Sequence, residues 1–322
     1  MDILINPQHQ HNLPVSAFGM VLGLAGLANC WAAAAHLWRF DNLAANALHG
    51  VAALTWLALV LLYAIKYRTH RDDVEAEWNH PILCCFFSLI PVSTMLVGMS
   101  AQPWLPTLGK VMIYAGAVVQ LSFSAYRSSS FLGGRRRMAD TTAIMYLPTV
   151  AGNFVSAIAL SAIGHANIGK IFFGAGVFAW LSLESIILQR VYFSTEAEPQ
   201  IWPTHGILLA PPAVGAVAYF AIGGAHADWL MFALLGYAIL LLLFLARMIP
   251  SFMQTGFTPA YWSFSFGLTA LALGWLKVAG VDADPVYTWL AGWFFTLANV
   301  ALAMLAYKTL RLFAGGKLFV RA

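Results

Sequence analysis

Long apolar stretches alternate with short polar segments along the whole chain. Each apolar stretch has roughly the 20 residues that an α-helix needs to cross the hydrocarbon of a bilayer. The stretches are continuous, whereas strands of a membrane barrel alternate apolar and polar residues. The pattern therefore predicts ten membrane-spanning helices, numbered here as spans 1 to 10. Their predicted bounds are Val15–Ala35, Ala45–Lys66, Pro81–Met99, Leu108–Tyr126, Thr142–Ile163, Ile168–Leu188, Gly206–Gly223, Trp229–Met248, Pro259–Val278 and Val286–Tyr307.

The polar segments between spans are short, which indicates that consecutive spans pair as helical hairpins within one domain, residues 1–322. Thirteen of the 17 Lys and Arg residues lie in segments on the side of both termini. Because Lys and Arg are enriched in cytoplasmic loops, both termini are expected in the cytoplasm, and the protein in the cell inner (plasma) membrane. The run Arg135–Arg137 is interpreted as part of this bias, or as a basic patch for anions or acidic lipids.

Composition supports a membrane protein, since 61% of the residues are hydrophobic and only 9% are charged. A soluble domain has about 25% charged residues. The topology explains the net charge of +4, so no nucleic-acid partner is expected. The three cysteines lie inside apolar stretches, and the histidines do not face one another at mid-membrane. No catalytic constellation, phosphate loop, metal site or cofactor site is evident, and no cleaved signal peptide is expected.

Helix-breaking residues recur on the odd-numbered spans at intervals of 56–63 residues. They are Pro91 in span 3, Pro148 in span 5, Pro211 and Pro212 in span 7, and Gly267 in span 9. A proline inside a membrane helix frees a carbonyl, which is tolerated where protein or a water-filled cavity satisfies it. This favours an all-α integral membrane fold of ten helices, arranged as five hairpins in a quasi-fivefold ring around a central pore. Odd spans would form the inner circle, and even spans the outer, lipid-facing one.

The odd spans contain no Asp or Glu, whereas a cation pathway usually presents rings of carboxylates. They carry hydroxyl and amide side chains instead, which favours an anion or a neutral solute. The clearly intramembrane carboxylate is Glu184, on span 6. It either pairs with a neighbouring side chain or carries protons, and its position on an outer span favours pairing.

Span 9 contains the sequence YWSFSFGL, in which Phe266 directly precedes Gly267. A ring beside a flexible backbone position could close a narrow passage and swing away, so Phe266 is predicted to be the pore gate. The other residues of the odd spans that are predicted to line the pore are Phe18, Pro91, Ser93, Pro148, Asn153, Pro211, Pro212, Phe264 and Gly267.

Five stretches of the sequence carry a family resemblance: LIPVSTMLVG (89–98), YLPTVAGNF (146–154), IFFGAGVFAWLSLESIILQ (171–189), GILLAPP (206–212) and WSFSFGL (262–268). On these the chain resembles the tellurite resistance protein A (TehA) and C4-dicarboxylate transporter family, which includes the plant slow-type anion channels. The resemblance covers nearly the whole chain. It implies a homotrimer with one pore per subunit that conducts anions such as chloride and nitrate. It also implies that Phe266 blocks the pore and that Gly19 faces it.

These observations predict a passive channel for small inorganic anions in a lipid bilayer, closed by Phe266 and associated with tellurite resistance. The alternative is a proton-coupled secondary transporter of C4-dicarboxylates or tellurite. Such transporters often have inverted repeats around a midplane site. The repeat here is fivefold and parallel, and the inner spans have no carboxylate for proton coupling, so the channel is favoured.

Overall fold

A computed structural model describes residues 13–131, 133–134, 137–193, 199–223 and 226–316 of the 322-residue chain. Within these ranges no strand occurs, and ten helices are long and apolar enough to cross a membrane. They are Val15–Trp38, Leu43–Thr69, Leu83–Ala101, Pro106–Phe131, Ala143–Ala162, Ala166–Phe193, Trp202–Ala221, Trp229–Phe252, Pro259–Val281 and Pro285–Ala314. The predicted all-α membrane fold with ten spans is confirmed. Arg135 and Arg136 of the basic run lie outside the described residues.

Burial separates the spans into two sets. Between 61% and 89% of the residues in the apolar part of each odd span are buried, against 17% to 33% for the even spans. Each odd span packs against the even span that follows it. The odd spans also contact one another in chain order, and span 9 closes the circle onto span 1. The odd helices thus pack as an inner ring of five, and the even helices surround them.

Each inner span changes its helical geometry part-way along. The 3₁₀ turns Val15–Phe18, Leu83–Ser88, Ala143–Met145, Pro199–Leu209 and Pro259–Trp262 come first. The α-helices Gly19–Trp38, Leu89–Ala101, Gly152–Ala162, Ala210–Ala221 and Ser263–Val281 follow. In span 5, a π-helical turn at Leu147–Ala151 lies between the two. The tighter 3₁₀ turn has poorer hydrogen-bond geometry than the α-helix, and short non-α turns often occur near functional sites.

The predicted helix breakers mark these junctions in three spans, but they do not kink a continuous α-helix. Pro91, Pro211 and Pro212 lie within the first three residues of their α-helices. A proline costs little there, because the N–H groups of a first turn have no partner within the helix. Gly267 is the fifth residue of the α-helix Ser263–Val281 and does not interrupt it. The prediction of a break at Gly267 is therefore wrong, and the junction in span 9 lies at Trp262.

The π-turn around Pro148 leaves carbonyl groups that neighbouring spans satisfy. Gln120, fully buried on span 4, donates from Nε2 to the Pro148 carbonyl at 2.8 Å. Ser88 on span 3 donates from its hydroxyl to the Leu147 carbonyl at 2.8 Å and to Gln120 Oε1 at 3.1 Å. Gly152 leaves room for the Gln120 side chain, since a Cβ there would lie 1.9 Å from Nε2. An outer helix therefore supplies the polar group that the distorted inner helix needs.

Two helical features go beyond the sequence prediction. The charged segment after span 2 forms a short helix, Arg71–Asn79. Its Glu77 accepts hydrogen bonds from Tyr63 at 2.8 Å and from Lys66 at 2.9 Å, and so fixes it to span 2. Span 8 continues to Phe252 with Pro250 inside the helix, four residues beyond the predicted end at Met248.

Span 9 is held closely against span 1. A Cβ on Gly23 would lie 2.3 Å from the Ser265 hydroxyl, and a Cβ on Gly26 would lie 2.2 Å from the Thr269 hydroxyl. Both distances are far below van der Waals contact, so only glycine permits this approach. Small residues commonly let membrane helices pack backbone to backbone. The contact fixes the position of the helix that carries Phe266.

Replacing Gln120 by Leu is expected to destabilise the protein by roughly 1–3 kcal/mol, because the buried Pro148 carbonyl loses its donor. The measurement is the midpoint of thermal unfolding in detergent. Gln189→Leu is the matched control, since Gln189 lies exposed on span 6. Equal midpoints for the two variants would contradict the assigned role of Gln120.

Replacing Gly26 by Ala is expected to destabilise the protein by about 1–3 kcal/mol through overpacking of spans 1 and 9. Gly174→Ala on span 6 is the control, because a Cβ there meets nothing within 4 Å. Alanine has the higher helix propensity, so that control should keep or slightly raise the unfolding midpoint. Equal unfolding midpoints for the two alanine variants would contradict the close packing of spans 1 and 9 at Gly26.

Candidate functional site

A cavity of about 780 Å³ lies at the end of the bundle where the five inner spans begin. This end is called the N-terminal face below, and the cavity is called the basal cavity. All five inner spans contribute to its wall. The contributing side chains near the start of each span are Ser16, Leu83, Ile144, Thr204 and Pro259. The beginnings of the inner helices therefore surround one shared space on the axis of the ring.

The walls of the basal cavity reach into the α-helical parts of the inner spans. Gly19, Leu22, Leu89, Ala210 and Phe266 line it there, and Phe266 is half-buried. A Cβ on Gly19 would have its nearest neighbour, Leu89 Cδ1, at 3.9 Å, so this glycine borders open space. Two residues that the sequence analysis associated with the pore, Gly19 and Phe266, thus line the same cavity.

The charged lining of the basal cavity is dominated by arginine. Arg137 and Asp140 form a two-bond ion pair, with Nε–Oδ2 at 3.1 Å and Nη2–Oδ1 at 3.0 Å. Arg190 is the second arginine of the wall. Two guanidinium groups face a single carboxylate, so these three side chains give the cavity a net positive charge. A cleft with one sign of charge and low-dielectric walls concentrates ions of the opposite sign.

Arg190 lies near the end of outer span 6, yet only 5% of its side chain is exposed. Its Nη2 donates to the Ala139 carbonyl at 3.1 Å, and its Nε is buried without a hydrogen-bond partner among the described residues. In the sequence, Arg190 is one of the thirteen Lys and Arg residues on the side of both termini, and that count does not distinguish it from the other twelve. The sequence signal that could have predicted the burial of Arg190 is the helical spacing of residues along span 6. Its buried residues, Gly169, Gly176, Trp180, Ile187 and Arg190, follow the repeat of one helix face.

Two aromatic residues predicted to line the pore do not line the basal cavity. Phe18 is 1% exposed, and its ring packs edge-to-face on Tyr63 of span 2 with centroids 6.1 Å apart. Phe264 covers Gly206 of span 7, and its ring centroid is 5.8 Å from that of Phe252. On a helix, residues 264 and 266 point in different directions, which explains why the two rings of WSFSFGL have different surroundings.

The remaining predicted pore residues lie in helix contacts and do not line the basal cavity either. These residues are Pro91, Ser93, Pro148, Asn153, Pro211, Pro212 and Gly267. The Ser93 hydroxyl donates to the Ile90 carbonyl at 2.9 Å, and the Asn153 amide donates to the Thr149 carbonyl at 2.6 Å. A Cβ on Gly267 would lie 3.0 Å from both Ala210 N and Leu209 Cβ, so this glycine faces span 7. Their role in a pore stays a prediction.

Glu184 lies away from the basal cavity, in a cluster of hydrogen-bond donors. Its carboxylate accepts from the Tyr146 and Tyr237 hydroxyls, both at 2.5 Å, and from Trp180 Nε1 at 2.6 Å. The donors come from spans 5, 6 and 8, so the carboxylate joins an inner helix to two outer ones. The interpretation that Glu184 pairs with neighbouring side chains is confirmed.

Lys277 is the one Asp, Glu, Lys or Arg in the sequence of the five inner spans. It lies near the end of span 9 that is remote from the basal cavity, and its Nζ is 4.8 Å from the centre of the Phe220 ring. In the sequence, Lys277 is one of the four Lys and Arg residues that do not lie on the membrane side of both termini. The inner ring thus contains one cation and no carboxylate. Among the described residues, no group of three or more His, Cys, Asp or Glu could hold a metal ion.

Comparison with known proteins identifies the family of this chain. The family model described as "SLAC1: Voltage-dependent anion channel" matches residues 12–310. The chain belongs to this family. It is 36% identical over 310 residues to the "Tellurite resistance protein TehA homolog" of Haemophilus influenzae, covering 96% of this chain and 93% of that protein.

Two plant members of the SLAC1 family are more distant. Identity to the guard cell S-type anion channel SLAC1 of Arabidopsis thaliana is 26% over 306 residues, 89% of this chain. Identity to the S-type anion channel SLAH3 of the same plant is 24% over 281 residues, 83% of this chain. The chain spans 53% and 43% of the lengths of these two relatives. The family resemblance seen in the sequence is confirmed, and the family is one of anion channels, not enzymes.

Replacing Glu184 by Leu is expected to lower the stability by roughly 1–3 kcal/mol, because three donors lose their shared acceptor. Tyr237→Phe removes one donor and should cost about 1 kcal/mol. Thermal unfolding of the purified protein measures both. A Glu184→Leu variant as stable as the parent protein would contradict the role of the carboxylate in joining the helices.

Proposed function

We propose that the protein is a passive channel for small monovalent anions such as chloride and nitrate, with Phe266 as its gate. One observation carries this proposal: the starts of all five inner spans surround the basal cavity, whose wall has a net positive charge and includes Phe266. Membership of the SLAC1 family supports the anionic substrate class. The pathway would run from the basal cavity along the axis of the inner ring.

The composition of the inner spans suits an anion. They carry no carboxylate that would repel it, and Lys277 places one positive charge toward the far end. Positive charges at the two ends of an otherwise uncharged passage attract anions without binding them tightly along its length. Conduction requires binding that is favourable enough for entry and weak enough for exit. A cation would meet repulsion at both ends.

The packing of span 9 favours a gate that opens by rotation of the Phe266 side chain. Gly23 and Gly26 of span 1 hold one side of the helix, and Leu209 of span 7 lies against Gly267 on another. A shift of the backbone would disturb both contacts. A change of side-chain rotamer disturbs neither, and an off-rotamer angle costs only about 0.5–1.5 kcal/mol. The gate would therefore respond to small forces.

The orientation follows from the charge bias of the loops. Lys and Arg are concentrated on the N-terminal face, which is therefore assigned to the cytoplasmic side of the plasma membrane. The basal cavity would then be the cytoplasmic vestibule of the channel. Assembly as a homotrimer, with one pathway in each subunit, is part of the same proposal and is implied by the family resemblance.

The rival function, a proton-coupled transporter of C4-dicarboxylates or tellurite, would need a titratable group on the pathway. The relative from Haemophilus influenzae is named a tellurite resistance protein homolog, so a role in resistance to tellurite is kept within the proposal. Two titratable residues, His80 and Asp140, line the basal cavity, and Arg137 holds the Asp140 carboxylate in an ion pair. Glu184, the intramembrane carboxylate, is held by three donors between helices, away from the basal cavity. This placement favours the channel over the transporter.

Replacing Phe266 by Ala is expected to raise chloride flux into proteoliposomes roughly two- to tenfold, the range set by the cost of moving the ring. The control is Phe264→Ala, the same change two residues away on the same helix, where the ring packs on span 7 and does not line the cavity. Flux is measured from the decay of a chloride gradient with a chloride-sensitive dye. An unchanged flux for Phe266→Ala, or an equal rise for Phe264→Ala, would overturn the gate.

A further inference from the structure

We propose that Arg190 is an anion-binding site in the wall of the basal cavity, where it takes one small monovalent anion before the anion reaches Phe266. The proposal rests on the function proposed above and adds the group that recruits the ion. The ligand class is a halide, or a planar oxyanion such as nitrate or a carboxylate group. Neither the family relationship nor the positive-inside bias assigns this role to Arg190.

The Arg190 guanidinium is incompletely hydrogen-bonded within the described part of the chain. Arginine is charged at every physiological pH and presents five N–H donors in a fixed plane. Arg190 is only 5% exposed, so it is 95% buried. Among the described residues it makes one hydrogen bond, from Nη2 to the Ala139 carbonyl. Its Nε has no partner in the described part of the chain. A buried charge with so few partners is costly unless an anion or water completes its shell.

Asp140 supplies the carboxylate that competes with an incoming anion for Arg190. Asp140 lies close enough to interact electrostatically with Arg190, but no ion pair forms between them, and both Asp140 oxygens bind Arg137. Arg137 and Asp140 therefore largely neutralise each other, and the charge of Arg190 remains. Because Asp140 also lines the cavity, its negative charge limits how strongly Arg190 retains an anion. A site of moderate strength suits an ion that must move on.

Arg190 reaches the basal cavity from an outer helix. Span 6 is an outer helix, and only 17% of the residues in its apolar part are buried. Ile187 and Arg190 lie one turn apart on its buried face. The bond to Ala139 directs the guanidinium to the segment that precedes inner span 5. The side chain thus passes from the lipid-facing layer to the central cavity, which a residue with a role only in topology has no need to do.

The test uses the full chain in proteoliposomes with Phe266→Ala as background, so that the gate does not limit the current. Arg190→Gln is expected to reduce chloride conductance about fivefold at about 10 mM chloride, since one uncompensated charge raises the local anion concentration. The difference should shrink at about 500 mM, where screening and saturation remove the advantage. Arg190→Lys should keep the chloride conductance but lose preference for nitrate, because lysine lacks the planar fork.

Arg247→Gln is the matched control. It removes the same charge on the same membrane side, but Arg247 is exposed and does not line the cavity. It should leave the low-chloride conductance of the background unchanged. Asp140→Asn is the second variant, in which Arg190 keeps its place and loses its competitor. It should raise the low-chloride conductance. Because Asp140→Asn also frees the charge of Arg137, it is compared with the double variant Asp140→Asn/Arg137→Gln, in which Arg190 is the remaining charge of the three. The low-chloride conductance of the double variant should stay at least as high as that of the background, so it tests the proposal even if Arg190→Gln does not fold.

The outcomes separate the two proposals. If the Phe266→Ala protein carries no anion current, the proposed channel function is wrong whatever Arg190 does. If it conducts, and Arg190→Gln conducts equally at all chloride concentrations, the Arg190 site is wrong and the channel stands. An equal loss in Arg247→Gln, or a lower low-chloride conductance in Asp140→Asn, would likewise overturn the Arg190 site.

Discussion

Hydrocarbon offers no water to a free backbone group, and this constraint governs how the inner spans are built. Each inner span begins with 3₁₀ geometry and continues as an α-helix, so some carbonyls at the junction lose their usual partners. Side chains replace them: Gln120 and Ser88 bind the carbonyls of Pro148 and Leu147, and Ser263 binds the carbonyl of Pro203. The irregular halves of the inner spans are the halves that surround the basal cavity. The satisfied junctions are therefore what allows non-α backbone to line a cavity within a membrane.

Much of this architecture could be predicted from the sequence, because the length of apolar stretches and the positions of helix breakers do not depend on contacts between distant residues. Apolar length predicts the ten spans, and the helix-breaking residues of spans 3, 5, 7 and 9 predict the inner and outer sets. Phe266 and Gly19 were found through local motifs and the family resemblance. The structural roles of individual helix breakers could not be predicted from the sequence. Pro91 and Pro211 lie in the first turns of α-helices, and Gly267 leaves room for Leu209. Such roles depend on the neighbouring helix, which a single span does not reveal.

The candidate site also depends on contacts between distant segments. Arg190 and Ala139 are 51 residues apart in the sequence, and the Arg190 guanidinium binds the Ala139 carbonyl because span 6 returns beside the start of span 5. A count of loop charges gives Arg190 the same weight as exposed Arg247, although only one of them reaches the cavity. Phe18 and Phe264 show the same limitation for aromatic residues. They share the composition of a pore lining, but they face Tyr63 and Gly206 instead.

In the proposed function, anions move passively along the axis of the inner ring, past Phe266. The most direct measurement is the reversal potential of the Phe266→Ala current in a planar bilayer, first under a chloride gradient and then under a proton gradient at equal chloride. For a passive anion pathway, the current should reverse near the chloride equilibrium potential in the first case and at zero in the second. A reversal potential that follows the proton gradient would contradict a passive anion pathway and would identify a proton-coupled transporter instead.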